Sequence, residues 1–122
     1  MIDAGPLADL PERSVRIVRV GRREIGLIRW DGEALYAVHN RCPHQGGPIC
    51  RGALMPTLSP TDAPNEIAVD NDKPVLICPW HHWEFDLATG NALYANPHKL
   101  RTYAVRLERD RIVIDERGHN RP

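Results

Sequence analysis

Apolar and charged residues interleave through Val15-Arg16-Ile17-Val18-Arg19-Val20, as they do in a strand with one face buried. Gly21-Arg22-Arg23 then turns the chain, and Glu24 to Trp30 supplies a partner strand. Asp31-Gly32 is a hairpin-turn pair, because both residues tolerate the backbone such turns demand. Ala34 to Val38 reads as a third strand that runs directly into Asn40-Arg41-Cys42. Further on, Val75-Leu76-Ile77 is a short buried strand that delivers Cys78, and Trp83-Glu84-Phe85-Asp86 leads away from it. Ala88-Thr89-Gly90 turns the chain again. Leu100 to Leu107 and Arg111 to Asp115 form a last hairpin around Arg109-Asp110. No segment of useful length has helical period, and there is no internal repeat. Short strands separated by turn signals predict an all-β sandwich or barrel with antiparallel pairing.

One stretch breaks the pattern. Between Pro48 and Pro74, prolines recur at Pro56, Pro60 and Pro64 with polar residues among them. Proline has no N–H to give to a central ladder, so this stretch is expected to be an extended surface loop with a short strand at Glu66 to Val69. The 122 residues fit one domain. Its core is expected over about residues 12–116, with the proline-rich insertion over about 52–74 and a frayed polar tail at 117–122.

Charge narrows the choice of partner. Sixteen basic residues balance sixteen acidic ones, which argues against a nucleic-acid binder and gives no reason to expect a membrane surface. No run of about 18 apolar residues could span a bilayer. Met1 to Leu10 carries Asp3 and Asp9 and does not read as a secretory signal. The cytoplasm is the expected compartment. Cys42, Cys50 and Cys78 are the three cysteines. An odd count in a reducing compartment points to metal or redox chemistry before disulfides.

Two segments hold the soft-metal ligands: Cys42-Pro43-His44 and Cys78-Pro79-Trp80-His81. Each places a thiol and an imidazole at a loop tip that follows a strand. Thiolates suit iron–sulfur clusters and zinc, and imidazole is a neutral donor. A mixed set leaves less negative charge around the metal than four thiolates, so an added electron is easier to accept. A structural Cys2His2 zinc site uses the same residue types. Zinc modules usually pair C-x-x-C with histidines on a helix, neither of which is present here.

The double motif, with the run Cys78-Pro79-Trp80-His81-His82-Trp83-Glu84-Phe85-Asp86-Leu87-Ala88-Thr89-Gly90, resembles the Rieske iron–sulfur family, whose pattern is C-x-H followed by C-x-x-H. The likeness is to bacterial Rieske ferredoxins and the Rieske domains of ring-hydroxylating oxygenases. It extends from about Val15 to Asp115. The resemblance implies a Rieske-type fold with a cluster-binding subdomain of two loops. It also implies one [2Fe–2S] cluster, with Cys42 and Cys78 on one iron and His44 and His81 on the other. A third, proline-containing loop would fall at Asn96-Pro97.

This sequence departs from the family pattern in three ways. His82 stands where the family commonly has glycine, a residue that usually marks a positive φ. The stretch between the motifs is longer than in compact members. The disulfide that joins the loops of high-potential members is absent, because Trp80 occupies the position of its second cysteine. His82-Trp83 also lacks the hydroxyl donors that those members place near the cluster. Fewer hydrogen bonds to sulfur imply a potential in the lower Rieske range, roughly −150 mV to near zero.

The implied role is an electron carrier, not an enzyme, that moves single electrons from a flavoprotein reductase to a terminal oxygenase. The competing readings are a non-catalytic subunit or redox sensor of a larger oxidoreductase, and a structural zinc module. The chain is too short for the added mononuclear-iron domain of a Rieske oxygenase. Cys50 is expected to be a buried bystander, and His39 structural or at the surface. His98 and His119 are expected in solvent. Trp80, Trp83 and Phe85 are expected as core or cover, and Gly46-Gly47 as a flexible turn beside His44.

Overall fold

The computed structural model describes residues 1–43, 46–63, 65–80, 82–93 and 98–115. Nine strands run through these described residues: β1 (Ile2–Pro6), β2 (Ser14–Val20), β3 (Arg23–Arg29), β4 (Leu35–His39), β5 (Ala53–Pro60), β6 (Ile67–Ile77), β7 (Glu84–Asp86), β8 (Thr102–Glu108) and β9 (Arg111–Asp115). The helical content described is two short 3-10 turns, Leu7–Asp9 and Ile49–Arg51. The fold is all-β and antiparallel, as the patterning requires.

A six-stranded sheet has the order β1-β9-β8-β4-β3-β2, and a three-stranded sheet has the order β5-β6-β7. The hairpin turns follow from local sequence. Val20 pairs Arg23 across Gly21-Arg22, with Gly21 at φ +62°. Glu108 pairs Arg111 across Arg109 and Asp110, both left-handed at φ +51° and +65°. Two consecutive positive φ values match the right-handed twist of the strands they join.

The large sheet buries both faces. Ile25, Leu27 and Ala37 meet Tyr103, Ile112 and Ile114 on one side. Ile28 and Val38 meet Leu76, Phe85, Leu87 and Leu100 on the other. Alternation along β3 sends successive residues to opposite cores. The second core lies between the two sheets and contains Cys42, Cys50 and Cys78.

Two findings differ from the sequence expectations. First, the sheet begins at Ile2, ahead of the expected core start near residue 12: β1 pairs β9 through Ile2–Ile114 and Asp3–Val113. Ile2-Asp3-Ala4-Gly5-Pro6 carries little alternation, and Gly and Pro are tolerated there because β1 is an edge.

Second, the proline-rich stretch is not an extended loop. It is the β5–β6 hairpin, paired from Ala53–Ile77 to Pro60–Ile67. Pro56 faces Pro74 where the register shifts, and Thr57 pairs Asp70 beyond. A register break is a place where two missing N–H donors cost the ladder little. β7 pairs β6 only over Val75–Ile77, so Pro74 meets no strand on that side. The offset residues are fastened to the large sheet, because Trp30 Nε1–H donates to the Asn71 carbonyl at 2.5 Å. Trp30 is buried, and the Arg13 guanidinium lies 3.9 Å from its ring centroid.

Candidate metal centre

β4 carries the chain into the first motif, and a clamp fixes the exit. The Asn40 N–H donates to the Glu24 carbonyl at 2.9 Å, and Asn40 Nδ2 donates to Glu24 Oε1 at 2.9 Å. Asn40 Oδ1 accepts from the Cys50 N–H at 2.9 Å. One side chain thus ties strand β3 to the 3-10 turn that follows the first motif. Sequence reading gave no signal for this role, because a polar residue after a strand is the default for any turn.

The first loop closes on itself. The Cys42 N–H donates to the Gly47 carbonyl at 2.7 Å, and the Gly46 N–H donates to the Cys42 carbonyl at 2.8 Å. The second loop repeats this at the same offsets. The Cys78 N–H donates to the Trp83 carbonyl at 2.8 Å, and the His82 N–H donates to the Cys78 carbonyl at 2.9 Å. Gly46 and His82 occupy the equivalent position and share a left-handed backbone, φ +77° and +58°. The expectation that the position of His82 suits glycine is met in its own loop and in the companion loop.

The loops touch. A Cβ at Gly47 would lie 3.1 Å from Cys78 Sγ and 2.9 Å from the Trp80 ring. Gly46-Gly47 is therefore more than a flexible turn: one glycine supplies the positive φ, and the other allows close approach of the second loop. Cys42 and Cys78 are 2% and 1% exposed, so both sulfurs face inward between the loops and the core. His44 and His81 lie outside the described residues, as do Pro97 and His119.

Cys50 is a buried free thiol. Burial, with Glu24 adding to it, pushes its pKa up to about 12, so it stays protonated and is a poor metal ligand. Its Sγ fills the space above Gly26, where a Cβ would lie only 2.1 Å away. The bystander expectation for Cys50 agrees with this. His39 is partly buried, and its Nδ1 has no hydrogen-bond partner. His98 is not simply solvated: its ring packs on Trp83 with centroids 4.8 Å apart. This aromatic contact between segments far apart in sequence left no local trace. Phe85 is core, whereas Trp80 is 55% exposed.

Two inward thiols on matched loops separated by a glycine fit a small inorganic group bridging both loops. The profile of the Rieske [2Fe–2S] domain matches residues 1–104. The chain belongs to the Rieske [2Fe–2S] domain family. A Rieske domain carries one [2Fe–2S] cluster, and its role is electron transfer. The chain is 32% identical over 115 residues to the ferredoxin component of the naphthalene 1,2-dioxygenase system of Pseudomonas aeruginosa, covering 93% of each chain. The fold is similar to the ferredoxin of carbazole 1,9a-dioxygenase from Nocardioides aromaticivorans, with TM-score 0.69 and 23% identity, covering 93% of this chain and 94% of that one. It is also similar to the small subunit of nitrite reductase [NAD(P)H] from Erwinia carotovora, with TM-score 0.63 and 19% identity, covering 92% and 78%. Among the described residues, no helix of this Rieske domain is long and apolar enough to cross a membrane.

Proposed function

We propose that this Rieske domain is the ferredoxin of an oxygenase system, an electron carrier and not itself an enzyme. It would take single electrons from a flavoprotein reductase and pass them to a terminal oxygenase in the cytoplasm. Cys42 and Cys78 would bind one iron and His44 and His81 the other. The observation that carries the assignment is the repeated loop geometry: each cysteine N–H is held by the carbonyl five residues on, and each loop turns back at a positive φ. Within that frame His82 stands at the turn, equivalent to Gly46, which leaves the C-x-x-H spacing to select His81 and the C-x-H spacing to select His44.

When bound, the cluster supplies one-electron redox chemistry. The chain's own part is to orient the ligands, exclude water from the sulfurs and keep the geometry fixed between redox states. Burial of Cys42 and Cys78 does the second, and the backbone hydrogen bonds that close both loops do the third. The relative with a ferredoxin name matches over 93% of its own length. That likeness in sequence, at 32% identity against 19% for the nitrite reductase small subunit, favours a free carrier over a subunit of a larger oxidoreductase.

The test is electron paramagnetic resonance of the reduced protein with two substitutions. His81→Ala is expected to abolish the Rieske signal, whereas His82→Ala is expected to shift it only slightly. The reverse result would overturn the ligand assignment. A colourless protein after anaerobic reconstitution with iron and sulfide would overturn the function and revive the zinc reading.

A further inference from the structure

The ends of β3, β4 and β8 meet beside the first loop, and several guanidinium groups gather there around one carboxylate, Glu24, which Asn40 and Arg19 engage. Ile25 pairs His39, and the His39 N–H donates to the Arg101 carbonyl at 2.9 Å. The charged groups that act on His39 are Arg101, Arg41 and Arg23, all guanidinium. The Arg41 side chain lies over the loop itself, with guanidinium atoms 3.2–3.3 Å from where a Cβ on Gly46 would be. Arg41 and Arg101 are exposed. Ion pairs among the described residues include Arg13–Asp31, Arg19–Glu24, Arg106–Glu108 and Arg111–Asp3. The Arg101 guanidinium lies 5.0 Å from the Tyr103 ring centroid in a cation–π contact.

An acidic region lies elsewhere. The β5–β6 hairpin and its turn carry Asp62, Glu66, Asp70 and Asp72 against a single Lys73. Cys78 follows one end of β6, and the hairpin turn precedes the other. An eleven-residue strand spans roughly 33–36 Å at full extension. The hairpin is thus a net acidic region, and its turn, with Asp62 and Glu66, lies at the end of β6 away from Cys78. Such a separation orients an approaching partner and raises its encounter rate. Beside the arginines, Trp80 offers an exposed aromatic face against Gly47, an apolar centre with a cationic rim of the kind interfaces use.

We propose that Arg41 and Arg101, beside the first loop and with Trp80 at the centre, form the face on which the redox partner docks, and that the partner surface seated there is rich in carboxylates. The proposal rests on the ferredoxin reading and adds the chemistry of the partner. Two proteins of opposite charge serve as probes: flavodoxin hydroquinone, acidic, gives one electron to the oxidised cluster, and ferric cytochrome c, basic, takes one from the reduced cluster. Stopped-flow rate constants are compared at about 20 mM and about 300 mM ionic strength, where screening is weak and strong. In Arg41→Gln/Arg101→Gln the flavodoxin rate is expected to fall about threefold or more at low salt, with no fall for cytochrome c, and the difference to vanish at high salt. Arg41→Lys/Arg101→Lys is expected to restore the flavodoxin rate. An unchanged flavodoxin rate in a variant with an intact cluster signal would overturn the docking face. So would a rise of equal size on neutralising Asp70 and Asp72, since equal and opposite effects would reflect net charge alone. A wild-type protein without a cluster signal would overturn the ferredoxin reading instead, and the visible spectrum separates the two failures.

Discussion

His82 holds φ +58° at the turn of the second loop, and replacing it tests whether backbone or imidazole matters there. A left-handed backbone costs an L-residue roughly 1–2 kcal/mol, although histidine tolerates it better than most. Glycine removes that cost but gives back about 0.5–1 kcal/mol through its freer unfolded chain. His82→Gly should therefore be neutral or stabilising by up to about 1 kcal/mol. His82→Val puts a β-branched residue where it is an outlier, and should lose about 1–3 kcal/mol. For a domain of this size, each kcal/mol moves the midpoint by about 4 °C. The glycine and valine variants should then melt roughly 4–16 °C apart, with wild type between them or level with glycine. The assay is thermal loss of visible absorbance at one fixed scan rate, because release of a cofactor makes the midpoint rate-dependent. The resonance spectrum is recorded on each variant. The reasoning fails if His82→Gly loses the cluster or melts well below wild type, since the imidazole and not the turn would then hold the site together.

Three further outcomes are expected. Gly26→Ala drives a Cβ to within 2.1 Å of Cys50 Sγ and should cost about 1–3 kcal/mol. In Gly26→Ala/Cys50→Ala the sulfur is gone, and denaturant midpoints should show a favourable coupling of about 1–2 kcal/mol; simple additivity would refute the contact. Burial first, and then Arg101, Arg41 and Arg23, hold the His39 pKa below its ordinary 6.5. The unfolded chain therefore binds the extra proton first, so stability is full above pH 6.5 and declines as pH falls below it. His39→Gln should flatten that decline in unfolding midpoints taken across this range. Finally, a redox titration should give a potential of roughly −150 mV to near zero, and a value above about +200 mV would contradict the weak hydrogen bonding inferred for the sulfurs.

What could be read from sequence followed periodicity and spacing. β2, β3, β4, β8 and β9 fall where alternation puts them, because each has one face against a core and the other toward solvent or a second core. The motif spacing pointed to two loops, and both fold as closed loops of one design. The hairpin β5–β6 was hidden by its own prolines. Pro56 and Pro74 argue against a ladder until they are known to face each other at a register break. β1 was hidden because an edge strand tolerates the residues that usually mark a turn. Asn40, Gly47 and the Trp83–His98 contact were not readable, because each acts through a neighbour distant in sequence.

The equivalence of the two loops bears on how electrons move. A one-electron carrier is fast when little rearranges between its redox states, so the ligands must be held by something stiffer than their own side-chain torsions. In each loop the cysteine's own N–H and C=O are both engaged, by residues five and four positions on. The thiol-bearing residue is therefore fixed by the backbone before any metal binds. Gly47 sets the gap between the loops, because any side chain there would push against Cys78 and Trp80. The 3-10 turn that follows is held to β3 through Asn40, Glu24 and Cys50, so the first loop moves only if the large sheet moves. The second loop is anchored by β6 and β7 on the other sheet. Each half of the site thus belongs to a different sheet, and the core between them, with Ile49, Leu76, Phe85 and Leu87 fully buried, sets their distance. Rigidity at the centre is therefore a property of the packed interior, and a cavity there, such as Leu76→Ala, should loosen the site without touching a ligand.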